Sequence, residues 1–234
     1  MKNNVTKVLL VSLAITSVAS ISAHASPKPK VKVNNSAVLT VIHAIPAGFG
    51  ADKVDVYSND TLVVNDATPG ATKSFTLEPG TQRVAIYADG VVPSSTTSSL
   101  LSFRPIYLSH GTNVSFVAHL NANEQPVLTL FRNKNTEPGK KREWLTVRHV
   151  AAAPAVDVKS NSLVLFRALM SGMERKRALP LGSYPVNVVL SGTSTSALPS
   201  TNVVIKDGKN LIVYVWGSAS KNNLQYFTQE VDTK

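Results

Sequence analysis

Cysteine is absent from this 234-residue sequence, which removes disulfides, thiolate nucleophiles and cysteine-ligated zinc from consideration. Stability has to come from packing. Acidic residues are few: 14 Asp and Glu stand against 24 Lys and Arg, a formal charge of +10. Such an excess favours anionic partners or surfaces through an attraction that salt screens. Aromatic residues make up only 6% of the chain, too thin a supply to support a sugar-stacking lectin, and none are interleaved with the basic segments in the way that base stacking needs. Nucleic acid is therefore not an expected partner. Catalytic signatures are missing as well, with no Gly-x-Ser-x-Gly elbow, no His-Glu-x-x-His and no Gly-rich phosphate loop ahead of a helix. The chain is read as non-enzymatic, with no cofactor or metal expected. A hydrolase of unrecognised type, its centre assembled from isolated residues, is the alternative.

Long apolar runs are also missing beyond the N-terminus. Lys2 and Lys7 precede an apolar stretch from Val8 to Ile21, thinned by Ser and Thr, and Ala23-His24-Ala25 then offers a small-x-small cleavage site before Ser26. That is the order of a secretory signal peptide. The stretch falls short of the roughly 20 apolar residues a spanning helix needs, so residues 1–25 are read as a signal peptide and the protein as periplasmic or secreted, without a transmembrane anchor. An uncleaved N-terminal anchor is the other reading. Cleavage would leave a charge of about +8 and no cysteine for acylation. Residues 26–36, cationic and broken by Pro27 and Pro29, form a polar tether.

What is present is a duplication. Leu39-Thr40-Val41-Ile42-His43 is answered by Leu145-Thr146-Val147-Arg148-His149, and Val54-Asp55-Val56-Tyr57 by Val156-Asp157-Val158-Lys159. Leu77-Glu78-Pro79-Gly80 and Gly90 are matched by Leu179-Pro180-Leu181-Gly182 and Gly192. From Val38 onward, apolar runs rich in Val, Ile, Leu, Thr, Tyr and Phe are bounded by Gly, Pro, Asn, Asp or Ser, the signature of short strands at regular spacing. The fold class is all-β: two tandem immunoglobulin-like β-sandwich domains, residues 37–133 and 144–232, joined by a linker at 134–143. Each copy has about 100 residues, enough for one core. Trp144 sits where it can pack on the joint.

Alternation of period two marks several strands. Val84, Ile86 and Ala88 share one face, and Val114, Phe116, Ala118 and Leu120 share another. Asp207-Gly208 between two apolar runs predicts a type I′ hairpin over 202–216, at the place occupied by Ser109 to Thr112 in the first copy. The segment Phe166 to Arg177, interrupted by Gly172, reads as a turn between strands.

Among polar residues, His43 with Asp55 and His149 with Asp157 recur as a pair. Imidazole and carboxylate at one edge would suit a pH-sensitive or metal site. The structural reading is favoured, because two ligands per copy are too few for a dedicated zinc site and such groups commonly satisfy buried backbone. His110 and His119 have no counterpart and read as surface or turn residues. Two basic clusters, Lys140-Lys141-Arg142 in the linker and Arg175-Lys176-Arg177 in a second-copy loop, are candidate anion-binding residues if both face one groove. Tyr57, Tyr87 and Tyr107 form either an exposed strip or cross-strand packing.

The opening His43-Ala44-Ile45-Pro46 through Lys53-Val54-Asp55-Val56-Tyr57, and its second version Arg148 to Val158, resemble the bacterial domain-of-unknown-function family numbered 4397, in two tandem copies. The Leu77 to Tyr87 segment is similar to that family as well. The resemblance covers approximately Val38–Arg132 and Trp144–Val231, with Gly48-Phe49-Gly50 inserted in the first copy and Lys159 in place of the motif's Tyr in the second. It implies an exported β-sandwich module of the bacterial cell envelope and transfers no catalytic residue. The expected role is binding or scaffolding at the envelope, with a cell-envelope protein or an anionic polysaccharide as partner. An acidic-glycan or other polyanion-binding module using the basic clusters is the alternative.

Overall fold

β-branched runs bounded by turn residues become strands throughout the computed structural model, which describes residues 36–234, and no residue among them is helical. The expected signal peptide and all of the tether but Ser36 lie outside the described residues. The first half of the chain contributes β1 (Ala37–Ala44), β2 (Val54–Ser58), β3 (Thr61–Ala67), β4 (Thr72–Leu77), β5 (Gly80–Gln82), β6 (Val84–Ala88), β7 (Leu101–Ser102), β8 (Ile106–Leu108), β9 (Asn113–Leu120) and β10 (Pro126–Arg132). The second contributes β11 (Arg142–Ala152), β12 (Val156–Ser160), β13 (Leu163–Leu169), β14 (Met173–Pro180), β15 (Gly182–Leu190), β16 (Thr201–Ile205), β17 (Lys209–Ser218) and β18 (Gln225–Asp232).

Each half folds as a sandwich lobe. In the first, the sheet β10-β9-β1-β4 faces β3-β2-β6-β7 and the small pair β5-β8; in the second, β14-β11-β17-β18 faces β13-β12-β15-β16. The duplicated sequence is reproduced in register. β1 runs parallel to β9 and antiparallel to β4, with Val41 opposite Lys73. Likewise β11 runs parallel to β17 and antiparallel to β14, with Val147 opposite Arg175.

Three cores follow. Leu39, Val41, Val54, Val56, Ile86, Val114, Phe116 and Leu120 fill the first sandwich, and Leu145, Val147, Val156, Val158, Val188, Val203, Ile205 and Val213 fill the second. A third core lies between the lobes, where Ile42, Ala44, Val117 and Phe131 meet Val150, Ile212, Tyr214, Trp216 and Val231. The sheets that carry β1 and β11 are therefore covered on both faces, giving four stacked layers. That is why β9 and β17 are buried along almost their whole length instead of alternating between core and solvent. Residues 36–234 belong to one compact unit.

Two local expectations need correction. Residues 202–216 are not a hairpin, because β16 bonds to β15 while β17 bonds to β11 and β18. The Asp207-Gly208 turn carries the chain from one sheet to the facing one, and only Gly208, at φ 69°, takes the positive φ that a type I′ turn needs at both positions. The first-lobe turn at Ser109 to Thr112 does the same, with Gly111 at φ 70° and Thr112 N donating to Ser109 O at 3.1 Å. Similarly, Phe166 to Arg177 is mostly strand: the turn is confined to Met170-Ser171-Gly172, and Arg175-Lys176-Arg177 lie in β14, not in a loop.

Candidate functional site

The recurrent histidines and aspartates act as latches on backbone. The His43 ring donates from Nε2 to Ala51 O at 2.6 Å, and its Nδ1 accepts from Ile45 N at 3.3 Å. A carbonyl can only accept, so the proton sits on Nε2 and the ring is neutral. His149 repeats this with Pro154 O at 2.9 Å and Ala151 N at 3.4 Å. Burial holds both rings below the ordinary histidine pKa. Each thereby pins the loop that follows its strand.

The aspartates hold the opposite sheet. Asp55 accepts from Asp66 N and Gly90 N, both at 2.9 Å. Asp157 accepts from Ala168 N at 2.8 Å, Ser191 Oγ at 2.9 Å and Gly192 N at 3.3 Å. The bond from Ala168 N is the main reason its carboxyl titrates below the usual range. Asp66 at φ 56° and Ala168 at φ 47° are the donors in the two lobes, so the carboxylate stabilises an irregular turn of the β2–β3 or β12–β13 ladder, where the register shifts. The expected His–Asp pairs do not meet as hydrogen-bonded pairs. The recurrence marks two separate backbone contacts.

His119 departs from its expected surface position. It is 1% exposed, on the interlobe face of β9. It donates from Nδ1 to Leu120 O at 2.8 Å and accepts at Nε2 from Thr129 Oγ1 at 2.9 Å. Burial pushes its pKa down to about 4. The physical reason for the miss is the second layer over β9, which turns its apparent outer face into an interior. His110 does lie in an exposed turn.

A polar network sits at the centre of the interlobe layer, around a residue the sequence reading passed over. Arg148 is fully buried. Its Nε donates to Glu174 Oε2 at 2.9 Å, and its two terminal nitrogens donate to Tyr214 Oη at 2.5 Å and Asn133 Oδ1 at 2.7 Å. The guanidinium also lies 4.5 Å from the Phe131 ring centroid and 5.2 Å from that of Tyr214. Tyr214 in turn donates to Gln229 Oε1 at 2.6 Å, and Gln229 donates to Thr40 Oγ1 at 3.2 Å across the lobes. Lys176 closes the charge balance on Glu174 at 2.5 Å. The available signal was a lone arginine, with no other formal charge, inside the mostly apolar stretch Leu145 to Ala153.

The two basic clusters lie at the start of β11 and on β14, strands that pair with each other. Lys140, Lys141 and Arg142 are exposed where β11 begins, with Arg142 donating to Ala178 O at 2.6 Å. On β14, Arg175 and Arg177 project from one face while Lys176 points the other way, to Glu174. Trp144 anchors the connecting segment through its indole N–H on Thr136 O at 2.9 Å. Tyr57 and Tyr87 are buried edge to face, 5.4 Å between centroids, while Tyr107 alone of the three is exposed. They form no strip.

One acidic group could hold a cation by composition: Asp55, Asp66 and Asp89 have carboxylate oxygens within 4.8 Å of one another. The Lys53 ammonium already bridges Asp66 at 2.8 Å and Asp89 at 3.1 Å, and Asp55 is committed to backbone. Hydrogen bonding to those partners raises the Lys53 pKa and lowers that of Asp66. The lysine supplies the positive charge that this cluster needs.

Two stacked sandwiches, latched by His and Asp on backbone and lacking a converging acid–base centre among the described residues, define a two-lobed β-sandwich protein. The family model described as "Domain of unknown function (DUF4397)" matches residues 37–159, more than half of the chain, and the chain belongs to that family. The match spans the whole first lobe and continues through β11 into β12. No curated protein matches the chain. Among solved structures, the Bacillus anthracis TIE protein is similar at 11% identity and a TM-score of 0.24, over 86% of this chain and 35% of that one. The family 26 carbohydrate-binding module CBMbc from Eubacterium rectale Amy13K, solved with maltoheptaose, is similar at 11% identity and a TM-score of 0.22, over 84% of this chain and 97% of that one. The chain thus spans about a third of the length of the TIE protein. No helix among the described residues is long and apolar enough to cross a membrane.

Proposed function

We propose that this is an exported, non-catalytic protein that binds or scaffolds at the bacterial cell envelope. One observation carries the reading: the side chains best suited to acid–base chemistry are spent on architecture. His43, His119 and His149 each bind a backbone carbonyl, and Asp55 and Asp157 each bind backbone amides of two segments. What remains free is surface, carried on two lobes that a shared core and the Arg148 network fix to each other. A stiff two-lobed body suits presenting two faces at a set spacing.

The N-terminal Lys, apolar run and Ala23-His24-Ala25 supply the export part of the proposal. Expressed in a bacterial host, the protein is expected outside the cytoplasm with Ser26 as its first residue, and it is expected to sediment with isolated envelope material. Recovery in the cytoplasm with residues 1–25 intact would overturn the export. Protein that stays in the supernatant when mixed with envelopes would overturn the binding role.

A further inference from the structure

The charge of the protein is unevenly divided. Residues 37–133 contain five Lys and Arg against seven Asp and Glu, while residues 134–234 contain fourteen against seven. Within the basic half, three arginines gather on one feature, the lateral opening of the second sandwich between the edge strands β13 and β14. Arg175 and Arg177 alternate with inward-facing Glu174 and Lys176, so they share the exposed face of β14. Arg177 lies over the opening, its guanidinium 3.4 Å from both Val164 O and Leu165 O of β13. Arg167, exposed on β13, flanks the opening from the other side.

Among the described residues, neither the Arg167 nor the Arg175 side chain has a hydrogen-bond or ion-pair partner, and none of the three guanidinium groups is paired with a carboxylate. The nearest acid in sequence, Glu174, is turned to Arg148 and Lys176 on the opposite face. The first lobe provides an internal comparison. By register, Lys73 stands at the place of Arg175 and Phe75 at that of Arg177, and Asn65 precedes Asp66 as Arg167 precedes Ala168. There Phe75 packs onto the core. In the first lobe Asn65 and Lys73 line a cavity along the β3–β4 edge, whereas the corresponding positions of the second lobe carry guanidinium groups.

From this geometry we infer that the β13–β14 edge is a binding site for an anionic polysaccharide, with Arg167, Arg175 and Arg177 as its contact residues. The inference rests on the envelope-binding role proposed above and names its ligand class. Adjacent same-face residues on a strand are about 7 Å apart, so Arg175 and Arg177 present forked donors at a repeat along the strand. Such an array matches charges that recur along an extended polymer. Exposed apolar residues stand only at the ends of the two strands, Met170 and Met173 at the turn between them and Leu163 and Leu181 at the far ends, whereas an anionic bilayer surface would call for apolar groups along the strip.

The test is binding of the purified chain to polygalacturonate and, separately, to phosphatidylglycerol vesicles, by titration calorimetry at low and high salt. Polygalacturonate is expected to bind and to be displaced by salt. Arg167→Gln with Arg175→Gln is expected to weaken it about tenfold with an unchanged thermal midpoint, since neither side chain has a partner to lose. Lys140→Gln with Lys141→Gln is expected to leave binding close to the parent value. Binding to vesicles but not to polygalacturonate overturns the ligand class, and equal binding by the Arg167/Arg175 variant overturns the site. If that variant still sediments with whole envelopes, the envelope role stands and this site alone falls.

Discussion

At the residue scale, Arg148 has to be held ionised with no solvent. Its charge is tolerable because Glu174 pairs with it at 2.9 Å and its other donors are satisfied by Tyr214 and Asn133. Truncation takes one hydrogen bond each from Tyr214, Asn133 and Glu174, the last of which keeps Lys176, and opens a cavity between the lobes. Arg148→Ala is expected to cost about 2–5 kcal/mol of stability through the cavity and the lost hydrogen bonds, read from urea denaturation, and Arg148→Lys to recover only part, because a single ammonium cannot reproduce the planar fork that meets three acceptors. A loss below about 1 kcal/mol, the level of an exposed pair, would mean that the network is not structural. His119 has the opposite requirement, since it must stay neutral. Its folded pKa of about 4 lies below the ordinary value near 6.5, so the unfolded chain binds the extra proton first. Stability from this residue is complete above pH 6.5 and is lost as pH falls from there toward 4, amounting to about 3 kcal/mol. Burial lowers the pKa of His43 and His149 as well, which adds to the same slope. Replacing His119 by Gln should flatten the fall in denaturation midpoint between pH 6.5 and 4. An unchanged slope would place the proton uptake elsewhere.

At the element scale, the strands and their repeat were legible because each apolar run is bounded by turn residues, and Leu39 to His43 and Leu145 to His149 announce equivalent positions. The partners of those strands were less so. Period-two reading of β9 picked out Val114, Phe116, Ala118 and Leu120, which do line the first core, but His119 on the other face was read as a surface or turn residue. Ser115, Val117 and His119 are buried there by the second lobe. Nothing local in a strand records that a second layer covers it; only the scarcity of charge on that face hints at it. The same limit misplaced Asp207-Gly208, since a turn between facing sheets and a turn between neighbouring strands use the same residues. The arginine strip shows a third limit: Arg175 and Arg177 were noticed as a run with Lys176, yet strand alternation divides that run between two faces. Arg167 was overlooked because its proximity to them depends on how β13 and β14 flank one opening.

At the scale of the whole molecule, the question is whether two lobes of similar topology behave as two folding units. Each has its own core, which would permit separate unfolding. Against this, the interlobe layer covers the outer faces of both central sheets with Ile42, Val117, Phe131, Val150, Ile212 and Trp216. Separation would expose that apolar surface together with the ends of the Arg148 network, so neither lobe keeps its stability once the other unfolds. The protein is therefore expected to unfold in one calorimetric transition, with van't Hoff and calorimetric enthalpies in agreement. A single charge placed in the layer should uncouple the lobes. Ile42 is fully buried on β1 and contributes to the interlobe core but not to the first sandwich core, so Ile42→Asp places an unpaired carboxylate against the second lobe. The variant is expected to split the transition in two, with the second-lobe component lowered only by the lost interlobe contact because that lobe's own core is untouched. Two transitions already present in the parent protein would show instead that the layer is a weak contact and that each sandwich stands alone.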